Sequence, residues 1–296
     1  MSDITKHLGK TSAYKATYDP LLLVREPRQR NRTYLDIKNE DLPFIGYDIW
    51  NAFEVSTLLS NGCPVSVIAK VTYNCDSEYI VESKSIKLYF NSFNMEKRAH
   101  INTVEDAIEF IEETASQDLS DLLETNVIVT CFKTSQYIVN DNLAGYPVLE
   151  NEVQYGIDSE FTSYSENPLL LTSSETTKKP VKQYFSSKLL KSNCKVTSQP
   201  DWGDVYIYLK SDKLVDKTSL LKYIVSFRDE CHFHEEICEA IYKRLQDAFQ
   251  PEELLVFCFY VRRGGIDINP IRASNINLID NDMIDPYLPF IRTGRQ

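Results

Sequence analysis

From Val65 to Tyr73 apolar and polar residues alternate, in VSVIAKVTY, which predicts a strand. ESKSIKLYFN, Glu82 to Asn91, also alternates, with Ile86, Leu88 and Phe90 on one face, and predicts a second strand across the turn NCDSEYI. The period then changes. Val104, Ile108, Ile111, Ala115, Leu119 and Leu122 recur at helical spacing, behind Asn102 or Thr103 as cap and Asp106 completing a T-x-x-D box. NVIVTCF, Asn126 to Phe132, predicts a buried strand. Ahead of these elements, the first forty or so residues, up to LPFIGYDIW, carry little periodicity and read as arm and loops.

The stretch YSENPLLLTSSETTKKPVKQ, Tyr164 to Gln183, is rich in Ser, Thr, Lys and Pro and reads as a linker. Beyond it the order returns. VYIYLK, Val205 to Lys210, predicts a strand; Leu220, Leu221, Ile224 and Val225 mark one helix; Ile237, Ile241, Leu245 and Phe249 mark a second, closed by Pro251. LLVFCFYVRR, Leu254 to Arg263, predicts a further strand. The chain is thus expected to be α+β, with antiparallel sheets each covered by helices on one face. The boundaries expected are an arm over 1–60, a first module over 61–163, a linker over 164–183 and a second module over 184–296.

Composition narrows the choice. The 296 residues are 43% hydrophobic and 25% charged, the balance of a globular protein with a large core. MSDITKHLGK has no apolar run of the secretory kind, and no apolar stretch reaches the roughly 18 residues of a membrane span, so a cytoplasmic protein without a membrane partner is expected. Seven cysteines, none in a C-x-x-C pair, fit a reducing compartment better than a disulfide framework or zinc ribbon. A net charge of −11 repels a phosphate backbone, so direct nucleic-acid binding is not expected.

Four places can carry chemistry. In SNCKVTSQPDWG, Ser192 to Gly203, the thiol of Cys194 lies among polar neighbours, seven residues ahead of Asp201, itself held between Pro200 and Trp202. A thiol needs a partner that takes its proton, and Asp201 is one if the chain loops back; the pair also reads as an ordinary loop cysteine and a turn aspartate. In FHEE, His234 and Glu235 open a helix, where Glu235 can accept two parallel hydrogen bonds from an N–H/NH2 edge; acids in a first helical turn are also simply good helix chemistry. Cys231, His232, His234 and Cys238 fit no common zinc spacing, and Cys238 reads as core-facing, so no metal is expected. In RRGGIDINPIR, Arg262 to Arg272, paired arginines run into Gly264-Gly265, a place for an anion or a plain glycine turn. In ESKSIKLY, Glu82, Lys84 and Lys87 put charge on what reads as a solvated strand face.

Taken in order, LPFIGYDIW, ESKSIKLYFNSFN, LLKSNCKVTSQPDWG, VSFRDECHFHE and RRGGIDINPIR resemble the NADPH-dependent nitrile reductases of queuosine biosynthesis, which convert 7-cyano-7-deazaguanine to 7-aminomethyl-7-deazaguanine. The resemblance runs from about Leu42 to Arg272 and is to the longer form of that family. It implies two tandem tunnelling-fold modules, the fold of GTP cyclohydrolases and urate oxidase, and a homodimer. It implies Cys194 as a nucleophile that forms a covalent thioimide and Asp201 as the proton donor. It implies substrate binding by Val81, Glu82, Ser83, His234 and Glu235, and NADPH binding by Ser83, Lys84, Arg263 and Gly264. Two other readings use the same residues. A cyclohydrolase of the same fold would need zinc ligands near the substrate ring, and a non-catalytic deazapurine-binding module would have no use for Lys84 and Arg263.

Overall fold

The computed structural model describes residues 17–134, 136, 141–153, 160–195, 198–289 and 291. In chain order its elements are β1 (Arg25–Pro27), α1 (Gln29–Tyr34), β2 (Ile45–Leu58), β3 (Pro64–Asn74), β4 (Tyr79–Val81), α2 (Ser83–Ser92), α3 (Val104–Leu123), β5 (Val127–Lys133) and α4 (Leu149–Glu152). There follow β6 (Ser173–Cys194), β7 (Pro200–Val215), α5 (Lys217–Val225), β8 (Cys231–His232), α6 (His234–Phe249), β9 (Glu253–Tyr260), β10 (Ile266–Ala273) and α7 (Asn281–Ile284). Eight strands form one sheet in the order β5-β3-β2-β10-β9-β7-β6-β8, and β1 pairs with β4 apart from it. Every named pairing in the large sheet is antiparallel except β6 with β8.

Strand alternation sorts the sheet's two faces. Trp50 and Ala52 of β2, Val67, Ala69 and Val71 of β3, and Ile266 and Ile268 of β10 pack with α2 and α3 in one core. Val205, Ile207 and Leu209 of β7 and Leu254, Val256 and Cys258 of β9 pack with α5 and α6 in a second. Both cores lie on the same face. The intervening residues Tyr206, Tyr208, Leu255, Phe257, Phe259 and Ile271 look the other way, where Ile279, Met283 and Ile291 cover them. At the central β2–β10 pair the helical face is charged instead. Arg272 donates to Asp48 at 2.8 Å and to Glu239 at 3.0 Å, and Arg28 and Arg32 of the N-terminal segment close the group at 2.5 Å and 2.9 Å. All five side chains are buried, so each charge depends on its partners rather than on water.

The α+β class and the helices on one face stand, but four local expectations do not. Glu82–Asn91 was expected as a strand; Ser83–Ser92 is a helix, because the Glu82 carboxylate caps it by accepting the Lys84 and Ser85 N–H groups. Its buried residues, Ser85, Ile86, Tyr89, Phe90 and Ser92, follow the helical period. Within the expected arm, Ile45–Leu58 is a fourteen-residue strand near the middle of the sheet. Its pattern is hidden because Asp48 and Asn51, both buried, break the apolar run. Residues 1–16 of that arm lie outside the described residues. Ser173–Gln183, within the expected linker, is the first half of β6, a polar and largely exposed ribbon paired to β7. Finally, Ile266–Ala273 is a strand, and its pairing with β2 along eight residues joins the two expected sheets into one.

Candidate active site

The spacing of Cys194 and Asp201 is explained by a hairpin. Strands β6 and β7 pair with Ser192 opposite Asp201 and Asn193 opposite Pro200, and Cys194 lies one residue further along. Directly opposed residues share a face, and residues two apart share it too, so Cys194, Ser192 and Asp201 point the same way. The turn closes with the Cys194 N–H donating to the Gln199 carbonyl at 2.8 Å and the Ser198 N–H donating to the Cys194 carbonyl at 2.9 Å. On the other side β8 runs parallel to β6 and sets His232 opposite Cys194.

These residues meet a cavity of about 560 Å3. Cys194, Asp201, Glu82, Ser83, Lys84, His234, Glu235, Arg263 and Gly264 all line it, with Trp50, Leu88, Phe233, Ile266 and Ile268 as apolar wall. Val81 does not. Its side chain is buried in the first core, and its backbone pairs with Arg25. Of the expected site residues the structure therefore brings nine together from four separate segments. Trp50, Gln199 and Phe233 lie in the stretches that carry the resemblance but have no expected role; they enter the site through strand pairing and a hairpin turn.

Two helix N-termini point at this cavity, those of α2 and α6. That of α2 is already capped by Glu82, whose carboxylate holds two of its N–H groups at 3.0 Å and 2.7 Å. At α6 the first turn is His234, Glu235 and Glu236, all largely buried. The Glu235 side chain is 2% exposed and its Oε1 has no hydrogen-bond partner. Burial, reinforced by the nearby Asp48 charge and opposed by Arg28 and Arg272, pushes its carboxyl up to about 8. His234 stacks on the Tyr260 ring at 3.8 Å, turns Nε2 to Asp201 at 3.4 Å and leaves Nδ1 buried without a partner.

Asp201 is an anion in this arrangement. Burial works against its charge, but hydrogen bonding and attraction from His234 and from the Arg263 guanidinium outweigh it and hold the carboxyl below its ordinary range. Arg263 also donates to the Gln199 side chain. Gly264 and Gly265 adopt φ of +57° and +81°, the region that favours glycine, and so turn β9 into β10 beside the site. A Cβ on Gly264 would lie 2.5 Å from the Lys87 ammonium. One wall thus carries Lys84, Lys87 and Arg263 around a bare stretch of backbone, a donor set that fits the phosphates of a dinucleotide. The Cys231, His232, His234 and Cys238 set does not converge. Cys238 is buried against the carbonyls of Val256 and Pro270, and His232 lies between Glu230 and Glu236.

A half-exposed thiol and a paired carboxylate line one cavity with an unpartnered buried carboxyl, groups that can serve as nucleophile, proton carrier and ligand anchor in an enzyme site. Comparison with known proteins narrows this. Residues 14–131 match the family described as nitrile reductase, 7-cyano-7-deazaguanine-reductase N-term, and residues 200–277 match the family described as QueF-like protein. The NADPH-dependent 7-cyano-7-deazaguanine reductase of Colwellia psychrerythraea is 38% identical over 98% of this chain and 95% of its own. The proteins of the same name from Legionella pneumophila and Rickettsia bellii are 40% and 42% identical, over 94% and 91% of this chain and 92% and 93% of theirs. The apo structure of the archaeosine synthase QueF-Like matches 34% of this chain and 98% of its own at 15% identity, with a TM-score of 0.30. The chain belongs to the NADPH-dependent 7-cyano-7-deazaguanine reductase family.

Proposed function

We propose that this protein reduces the nitrile of 7-cyano-7-deazaguanine to the aminomethyl group with NADPH, as a step of queuosine biosynthesis, through a thioimide on Cys194. The observation that carries this reading is the shared cavity, in which Cys194 and Asp201 face Glu235 with its unpartnered oxygen. The deazaguanine edge offers adjacent N–H and NH2 donors, and a carboxylate is the acceptor that can take both. Anchored there, against the apolar wall, the ring presents its cyano group to the thiol.

Asp201, ionised in the free site, takes the proton of Cys194 as sulfur bonds to the nitrile carbon. The same proton then passes from Asp201 to the nitrile nitrogen, which leaves a neutral thioimide and restores the carboxylate. Asp201 is base first and acid second, and Arg263 and His234 keep it ready for the first role. Bound NADPH supplies hydride. Lys84 and Arg263, with the Gly264 backbone and Ser83, are the groups that would hold it. Reduction of the thioimide consumes two hydrides and two protons, and the carbon–sulfur bond breaks between the two hydride steps, returning the thiol. A walled cavity protects the imine stage from hydrolysis.

The order of strands and helices, given twice along the chain, supports the tandem tunnelling-fold reading and, with it, a homodimer. No helix among the described residues is long and apolar enough to cross a membrane. The reading is tested by intact-protein mass spectrometry after mixing with 7-cyano-7-deazaguanine and no NADPH. Wild type should gain the mass of one whole substrate, and Cys194→Ala should gain none. An unmodified wild type would remove the thioimide.

A further inference from the structure

Lys195 and His232 have no part in the chemistry above, yet both are tied to its two ends, and His232 lines the same cavity, which Lys195 does not. Lys195 follows the nucleophile in the chain, and its ammonium donates to Glu236 Oε1 at 2.7 Å. The other oxygen of Glu236 accepts the Phe233 N–H at 3.0 Å and meets His232 Nδ1 at 3.2 Å. His232 Nε2 meets Glu230 at 3.1 Å, and His232 stands opposite Cys194 in the β6–β8 pairing. Glu236 is the third residue of α6, directly after His234 and Glu235. A continuous set of ion pairs thus links the residue after the nucleophile to the helical turn that carries the substrate anchor.

We propose that Lys195, His232 and Glu236 form a brace that holds Cys194 at attacking distance from a ligand anchored on Glu235, and that Lys195 and His232 are positioning residues. The inference rests on the thioimide reading. Cys194 ends its strand and is followed by a turn, so beyond the two-residue pairing of β6 with β8 it is these ion pairs that tie it to the start of α6. Glu236 is 7% exposed and Lys195 25%, so water screens their pair only in part. Burial opposes ionisation of both Glu236 and His232, but their mutual attraction, with Lys195 on one side and Glu230 on the other, holds the Glu236 carboxyl below its ordinary range and raises the His232 imidazole. A reacting atom displaced by about 1 Å can lose on the order of a hundredfold in rate without loss of binding.

The test separates binding from attack. Affinity for 7-cyano-7-deazaguanine is read from tryptophan fluorescence in a Cys194→Ala background, where no bond can form. The rate of adduct formation is read by rapid-quench mass spectrometry with Cys194 present. Lys195→Met should change affinity less than about twofold and slow the adduct about ten- to a hundredfold. Lys195→Arg, which keeps the charge, should recover most of the rate, and His232→Gln should slow the adduct in the same direction. An unchanged adduct rate in both Lys195→Met and His232→Gln overturns the brace. Equal losses of affinity and rate overturn it too, because they make Lys195 a ligand contact. A wild type that forms no adduct is a different failure, that of the nitrile reading itself.

Discussion

Helices α3 and α6 are built by the same local rules and put to opposite uses. Each lies across the sheet with an apolar stripe inward, carries acids in its first turn and ends on a left-handed residue, Glu124 or Gln250. At α3 the start is a full capping box, with Thr103 Oγ1 accepting the Asp106 N–H and the Asp106 carboxylate accepting that of Thr103, in the open. At α6 only half the box exists. Glu236 accepts the Phe233 N–H, Phe233 has no side-chain acceptor to return, and His234 and Glu235 turn into a cavity. The difference teaches what an active site costs locally: α6 gives up a satisfied start and keeps a carboxyl with an unpartnered oxygen.

That contrast can be broken in order of effect. In the proposed mechanism Asp201 moves the thiol proton, so Asp201→Asn should lower turnover by about a hundred- to ten-thousandfold, read from steady-state NADPH oxidation. Glu239→Gln leaves Arg32 and Arg272 without their shared carboxylate and should cost about 3–5 kcal/mol in chemical denaturation. The pH dependence of substrate affinity comes next. With Glu235 protonated up to about 8, a ligand that needs its carboxylate must expel a proton. Affinity should therefore rise as pH rises from 6 toward 8, by up to about tenfold per unit, and level off above, with a proton released to the buffer in calorimetry. In Glu235→Gln the profile should be flat. The smallest effect is at the other helix. Thr103→Ala should cost about 1 kcal/mol of stability and leave turnover unchanged, and a fall in turnover would show that α3 is not inert in catalysis.

The same contrast explains what the sequence could tell. The start of α3 was legible because Thr103 and Asp106 are the common cap chemistry. Helix α2 was read as a strand because Ile86, Leu88 and Phe90 satisfy a period of two, and because its cap is a glutamate, a residue that does not signal a helix start. Strand β2 was missed because its inward face carries Asp48 for the ion network rather than an unbroken apolar row. In the site, Cys194, Asp201, His234 and Glu235 stand out as residues, yet their convergence depends on the register of the β6–β7 hairpin and on β8 pairing with β6, which spacing does not encode. Gln199 and Trp50 lie in stretches that carry the resemblance, but neither residue type at its place signals a role in the site.

The pairing of β2 with β10 also governs when the molecule can come together. Asn51 and Asp267 face each other across 216 positions of chain. On a ribosome, β2 is made early and then has an open edge until the last strand of the sheet emerges. Contacts that distant make folding slow. The cavity needs Trp50 from the first strand and Ile266 and Ile268 from the last, so this site is among the final parts of the protein to exist.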